Sequence, residues 1–404
     1  MDFFNFDANE ILEKTSQKYK FSEKWFIKWN ELDKDQKKIF EDGSVNFVVT
    51  GCAGSGKSII LIHKLYRIFN DDIKAHQSYL IAVYTKALME FFRDGLNVFL
   101  QENNDIEDLF NVKINDKDII NIDRLNLNDF GEKKKYLFVD EYQDIGVSDF
   151  KKLIKRAENF MIFGDDEQRL YDDRDFLDIK KLREILGEKI VFHLLKTTYR
   201  LPYDIANFAG DIIDSNIREK CHNKDIGANL PKIVECECTG GKDYFKNEIK
   251  FIIKEVCDKD LKDVAILIHN RKNARIALNL IMDEVEQVYN EEKKDKKPII
   301  SFKTHNDTNN LKFAKEECIT LMVFHSSKGT QFQNVFVIKC DEESIWSNKN
   351  NYDVALFVAC TRASKNLYIT HSKTRTKFLD KIKENKYDKY RYLDGKVKNM
   401  ITYR

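Results

Sequence analysis

Proline is nearly missing from this chain, three in 404 residues, so one standing between two structured stretches marks a break. Cysteine occurs eight times but never as a CxxC pair, and only Cys236 and Cys238 lie close together. That argues against a disulfide framework or a thiolate zinc site. No apolar run approaches the roughly 18 residues needed to cross a bilayer. Met1 to Glu10 lacks the basic segment and apolar run of a signal peptide, so the expectation is a cytoplasmic protein with no membrane partner. A net charge of +1 excludes a globally basic chain, so any nucleic-acid surface has to come from local patches. What is present, 42% apolar and 33% charged residues over a length suited to two domains, describes a globular protein able to bury two cores.

Short runs rich in β-branched and aromatic residues recur between helix-like stretches. The first series is Phe47 to Thr50, Leu80 to Tyr84, Tyr136 to Val139, Phe160 to Phe163 and Ile190 to His193. A second follows at Ile233 to Cys236, Val264 to Ile268, Ile319 to Val323, Val335 to Ile338 and Leu367 to Thr370. Strands alternating with helices imply parallel sheets, hence two α/β lobes, and Pro202 lies near the change from one series to the other. The charged stretch Glu284 to Pro298 reads as a loop or the end of a charged helix.

The first strand leads into Gly51-Cys52-Ala53-Gly54-Ser55-Gly56-Lys57-Ser58 and then a helical pattern from Ile59 to Phe69. That is the strand, glycine loop and helix of a P-loop. The backbone N–H groups of Gly51, Ala53, Gly54, Ser55 and Gly56 are expected to close around phosphate oxygens. Lys57 would neutralise the β- and γ-phosphates of ATP, and the Ser58 hydroxyl would hold Mg²⁺. Downstream, the apolar strand Tyr136 to Val139 delivers Asp140-Glu141 at its carboxyl end, where ligands collect in parallel sheets. Asp140 is expected to reach Mg²⁺ through water, and Glu141 to accept a proton from an attacking water.

Asp140-Glu141-Tyr142-Gln143-Asp144 resembles the DExQD box of superfamily 1 helicases of the UvrD and Rep type. Gly164-Asp165-Asp166-Glu167-Gln168 is similar to that family's GDxxQ motif, Thr198-Tyr199-Arg200 to its NYR box, His325-Ser326-Ser327-Lys328-Gly329-Thr330-Gln331-Phe332 to HSxKGLEF, and Val358-Ala359-Cys360-Thr361-Arg362-Ala363 to VAxTRA. The resemblance implies two RecA-like P-loop domains with parallel sheets and an ATP site in the cleft between them. It further implies that Gln168 senses the γ-phosphate, Tyr199 stacks on the base, Arg200 contacts phosphate and Arg362 acts as an arginine finger. Gln36, in Leu32-Asp33-Lys34-Asp35-Gln36, stands where the family reads adenine, the alternative being a solvated helix start. Tyr84-Thr85-Lys86-Ala87-Leu88 resembles the strand end that touches single strands, so Thr85 and Lys86 are candidate phosphate ligands, with a solvated lysine as the alternative. Tyr171 and His325 join them as candidate nucleic-acid contacts.

The chain departs from the family in four places. Asp140 follows Lys57 by only 83 residues and His325 follows Arg200 by only 125, too few for the large inserted subdomains of these helicases. Asp173 stands where a base-stacking tryptophan is usual, and Gln331 replaces a glutamate, although an amide still hydrogen-bonds a ribose hydroxyl. The organisation read from the sequence is an aromatic-rich extension over 1–30, lobes over 31–203 and 204–370, and a basic tail over 371–404. The tail carries eleven Lys/Arg against four Asp/Glu and reads as a solvated helix or a nucleic-acid contact. The function this implies is an Mg-ATP-hydrolysing motor on single-stranded DNA or RNA. The alternative is an ATP-driven switch acting on a partner protein, such as a nuclease of a bacterial defence system or another defence or repair component.

Overall fold

The computed structural model describes residues 32–71, 78–102, 118–122, 133–169, 175–187, 190–241, 244–292, 297–303, 311, 313, 317–345 and 351–400. The aromatic extension over 1–30, Tyr171 and Asp173 lie outside the described residues. The chain divides into two compact units, Met1–Thr197 and Thr198–Arg404. No helix among the described residues is long and apolar enough to cross a membrane.

In unit 1, helix α1 (Lys34–Glu41) precedes strand β1 (Phe47–Gly51), helix α2 (Lys57–Asp71), β2 (Tyr79–Val83), α3 (Lys86–Glu102), β3 (Ile119–Asn121), β4 (Lys134–Val139), α4 (Val147–Ile154), β5 (Ala157–Gly164), α5 (Ile179–Leu186) and β6 (Val191–Leu195). The strands form one sheet in the order β3-β2-β4-β5-β1-β6, every pair parallel. Continuous apolar runs suit strands covered on both faces. Val48, Leu80, Ala82, Leu137, Val139 and Ile162 share one buried cluster with Phe150 and Leu153 of α4. Each of the Val, Leu, Ile and Phe side chains among them is worth roughly 1.5–3 kcal/mol when fully buried. The order has one consequence for chemistry. Because β5 lies between β1 and β4, the carboxyl ends of all three strands meet at one edge of the sheet.

Unit 2 holds α6 (Tyr203–Ile212), β7 (Lys232–Cys236), α7 (Lys246–Asp258), β8 (Val264–Ile268), α8 (Arg271–Glu291), β9 (Ile299–Lys303), β10 (Cys318–Val323), β11 (Phe332–Ile338), α9 (Glu342–Ile345), α10 (Tyr352–Cys360), β12 (Ala363–His371), β13 (Asp388–Leu393) and β14 (Lys396–Asn399). Its sheet runs β14-β13-β7-β12-β11-β8-β10-β9. The core joins Ile249, Phe251 and Ile252 of α7 to Ile266, Leu321, Phe336 and Tyr368, with the Phe336 and Tyr368 rings stacked at 4.4 Å. The two sheets carry the α/β organisation of RecA-like domains.

The structure differs from the sequence reading at the C-terminal end. The described residues beyond His371 form no solvated α-helix but two short 3-10 turns, Lys377–Leu379 and Glu384–Lys386, and two strands. β13 pairs parallel with β7, and β14 returns antiparallel to β13, the one antiparallel pair among the described strands of this sheet. Tyr392 explains the docking, since its ring lies 5.6 Å from Phe251 and is buried in the unit's core. The charged stretch from Glu284 is helical as far as Glu291, with Glu284, Val285, Val288 and Tyr289 buried and Glu286, Gln287, Asn290 and Glu291 outside.

Candidate nucleotide site

The P-loop closes a tight turn between β1 and α2. Gly54 and Gly56 adopt φ of 75° and 89°, a left-handed backbone that favours glycine. Gly51 is required for space instead, because a Cβ there would lie 2.7 Å from the Cβ of Leu195 and 2.8 Å from Ser55 Oγ. Lys57 opens α2 and folds back, its Nζ donating to the carbonyls of Gly51 at 2.6 Å and Cys52 at 3.1 Å. The next side chain, Ser58, donates to Asp140 Oδ2 at 2.9 Å. Asp140 is fully enclosed at the end of β4. Burial, then the neighbouring charge of Glu141, push its carboxyl up to about 7, while Ser58 and Lys57 pull the other way.

Glu141 sits at φ 58°, unusual for a residue with a side chain, and this turns the strand end into the Tyr142–Asp144 turn. Its Oε2 accepts from Gln143 Nε2 at 2.6 Å, and Gln143 Oε1 accepts from the Asp165 N–H at 2.9 Å. Asp165 Oδ2 in turn accepts from Gln168 Nε2 at 2.7 Å. The two acidic motifs are thus one hydrogen-bonded chain from Glu141 to Gln168. Gly164 makes room for it, since a Cβ there would come within 2.7 Å of Tyr142 Cε1 and closer still to Gln143 Oε1. Burial raises the Asp165 carboxyl, countered by Lys57 and the Gln168 amide. Gln143 and Asp165 received no role from the sequence, although both stand inside quoted motifs.

Gln36 is buried rather than solvated. Asp33 and Gln36 form a capping box at the start of α1, and Gln36 Nε2 donates to the Ser55 carbonyl at 3.1 Å. Thr85 has a structural task at the head of α3, where its Oγ1 accepts from the Leu88 N–H at 3.1 Å, and Lys86 begins that helix half-buried.

In unit 2, Arg200 Nη1 donates to Gln331 Oε1 at 2.7 Å, bringing together two residues 131 positions apart. The Tyr199 ring lies 4.8 Å from His222, tilted 38°. Arg362 is only 1% exposed, with Nε on the Val358 carbonyl at 2.9 Å, Nη1 on the Thr330 carbonyl at 3.2 Å and Nη2 on Thr361 Oγ1 at 3.0 Å. It therefore ties the Thr330–Gln331 turn to the end of α10. Burial first, then Lys328 and Arg271, lower the His325 pKa.

Two family models match the chain in the order these motifs require. An AAA domain covers residues 36–174 and a UvrD-like helicase C-terminal domain covers 277–374. The chain is a UvrD/Rep-type member of superfamily 1. ATP-dependent DNA helicase PcrA from two strains of Staphylococcus epidermidis is 27% identical to this UvrD/Rep-type chain over 165 residues, 36% of this chain and 21% of the relative. The chain thus spans about a fifth of the length of those relatives. Among solved structures, the C-terminal domain of a possible DNA helicase from Lactobacillus plantarum WCFS1 aligns over 48% of this chain and 99% of its own at 13% identity, with a TM-score of 0.33.

The residues present suit a magnesium nucleotide. Ser58 and Asp140 offer adjacent hard oxygen donors of the kind Mg²⁺ takes. The Ser55 hydroxyl, buried inside the loop, has no hydrogen-bond partner among the described residues, as an acceptor-rich phosphate would require.

Proposed function

We propose that the chain hydrolyses Mg-ATP at the site in unit 1 and is driven by single-stranded nucleic acid. The observation that carries this is the Ser58–Asp140 contact of 2.9 Å beside a Glu141 held through Gln143 to Asp165 and Gln168. Bound Mg-ATP supplies the γ-phosphoryl group that is transferred to water. Lys57 leaves the Gly51 and Cys52 carbonyls for the phosphates. The loop N–H groups and the amino end of α2 add fixed positive potential. Ser58 and Asp140 would hold the cation.

Glu141 takes the proton of the attacking water at Oε1, while Gln143 fixes its other oxygen. Gln168 reports the γ-phosphate to that same chain of hydrogen bonds. Gln36 selects adenine from its anchored position beside Ser55, Tyr199 stacks on the base and Gln331 takes the ribose hydroxyl. Arg200 and Arg362 neutralise charge developing on the phosphoryl oxygens, which requires Arg362 to exchange at least one carbonyl partner. Thr85, Lys86 and His325 are the contacts we assign to the strand's phosphates. The relatives named as ATP-dependent DNA helicases favour ATP as the nucleotide and DNA as the strand.

Phosphate release with and without single-stranded DNA and RNA oligonucleotides tests the coupling. Stimulation by an oligonucleotide, abolished in Lys57→Ala, is the expected result. Turnover that ignores every oligonucleotide and responds only to a copurifying protein would overturn it in favour of a protein-directed switch.

A further inference from the structure

Helix α1 has eight residues, too few to persist alone, so the position of Gln36 depends on what grips the helix. Its first turn is tied to the P-loop by the Gln36–Ser55 bond. Its last turn is tied elsewhere. Lys64 Nζ donates to the Asp42 carbonyl at 2.5 Å, Arg67 Nη1 donates to the Phe40 carbonyl at 2.9 Å, and His193 Nε2 lies 2.8 Å from Asp42 Oδ2. Lys64 and Arg67 belong to α2, whereas His193 comes from β6 and lies in none of the motifs.

We propose that His193 is a positioning residue that holds Asp42 and thereby fixes Gln36 for adenine, setting the purine selectivity of the nucleotide site. The proposal rests on the reading of Gln36 as the adenine contact. His193 is suited to the task by its register. It pairs with Val49 of β1, two residues before the P-loop begins, so its backbone moves with the loop. Its ring is buried edge-on to Phe47 at 5.6 Å, with Nε2 toward Asp42. The Asp42 carboxylate is fixed on its other oxygen by the Ser44 N–H at 2.8 Å, so the pair has little freedom. Burial favours the neutral imidazole, and in the tautomer protonated at Nε2 that atom donates to Asp42.

Without the His193–Asp42 contact the last turn would be held by Lys64 and Arg67 through main-chain carbonyls alone, and the helix could shift about the Ser55 contact and carry the Gln36 amide away from a fixed base. The loss would fall on base recognition and leave the phosphoryl machinery of β4 and β5 in place.

The test compares kcat and KM for ATP and GTP in wild type, Gln36→Ala, His193→Ala, Asp42→Ala and His193→Gln, with thermal unfolding recorded for each. Losing one positioned hydrogen bond is worth about 3- to 10-fold in the ATP/GTP ratio of kcat/KM. His193→Ala and Asp42→Ala should each lose that much through KM, with kcat within about 2-fold, and His193→Gln, which keeps a donor amide, should restore selectivity. If Gln36→Ala loses selectivity while His193→Ala and Asp42→Ala keep it, the positioning role is overturned alone. If Gln36→Ala itself keeps wild-type selectivity, the adenine reading falls and takes the proposal with it. Loss of kcat and KM together in both latch variants, with a lowered melting temperature and no rescue by glutamine, would reduce His193 to a structural residue and likewise overturn the proposal.

Discussion

The Ser58 hydroxyl donates to Asp140 Oδ2 across 2.9 Å, joining the first turn of the P-loop helix to the end of β4 with no other residue between them. On the proposed reading, removing this oxygen takes away one ligand for a divalent cation, and it strips the buried Asp140 of a donor. Ser58→Ala should raise the Mg²⁺ concentration for half-maximal turnover by about 10-fold or more, as losses in and around metal sites do. Titrating Mg²⁺ at fixed ATP measures this, and an unchanged half-point would contradict the assignment.

Gly164 admits no side chain, because its missing Cβ would press on the Tyr142 ring and the Gln143 amide. Gly164→Ala should cost about 1–3 kcal/mol of stability by overpacking and, by displacing Gln143 from Glu141, slow phosphate release. Urea unfolding and turnover assays read the two effects. A variant as stable and as active as wild type would show that the chain from Glu141 to Gln168 tolerates displacement.

The P-loop and the acidic pair were legible in the sequence because glycine, lysine and carboxylate stand there at spacings set by phosphate and cation geometry. The core strands were legible because continuous apolar runs have few other places to go. Three features were hidden for physical reasons. Ile119 to Asn121 is too short to show a period of its own. β13 and β14 carry Lys389, Arg391, Lys396 and Lys398, whose charges mask the alternation that buries Tyr392. The Asp42–His193 pair spans 151 positions, and no local pattern announces a contact at that separation.

Arg200 and Gln331 share a hydrogen bond of 2.7 Å, so they should act as a unit on the nucleotide. Arg200→Ala, Gln331→Ala and the double variant should weaken Mg-ATP binding non-additively, with a coupling of about 0.5–1.5 kcal/mol. Calorimetric titration of all four proteins measures it. Strict additivity would mean that the two side chains contribute independently.

Glu248 is wholly enclosed in unit 2 and accepts from the Lys339 N–H, Thr370 and Ser372. Burial, then the charge of Asp341, push its carboxyl above the ordinary 4.5 to about 7. A carboxyl raised on folding contributes stability below its unfolded value, and that contribution is lost as pH rises through the folded one. Unfolding free energy should therefore fall by up to roughly 3 kcal/mol between about pH 5 and 8, and Glu248→Gln should flatten the decline. Urea unfolding across that range decides, and an equally steep decline in Glu248→Gln would assign it to other groups.

Nucleotide binding can be separated from its hydrolysis at Glu141. Phosphate release should be measured beside binding of a fluorescent ATP analogue for wild type, Lys57→Ala and Glu141→Gln. Glu141→Gln should bind within about 3-fold of wild type and release phosphate at least about 100-fold more slowly, as loss of a general base predicts, while Lys57→Ala loses both. Phosphate release by Glu141→Gln at the wild-type rate would contradict hydrolysis at this site.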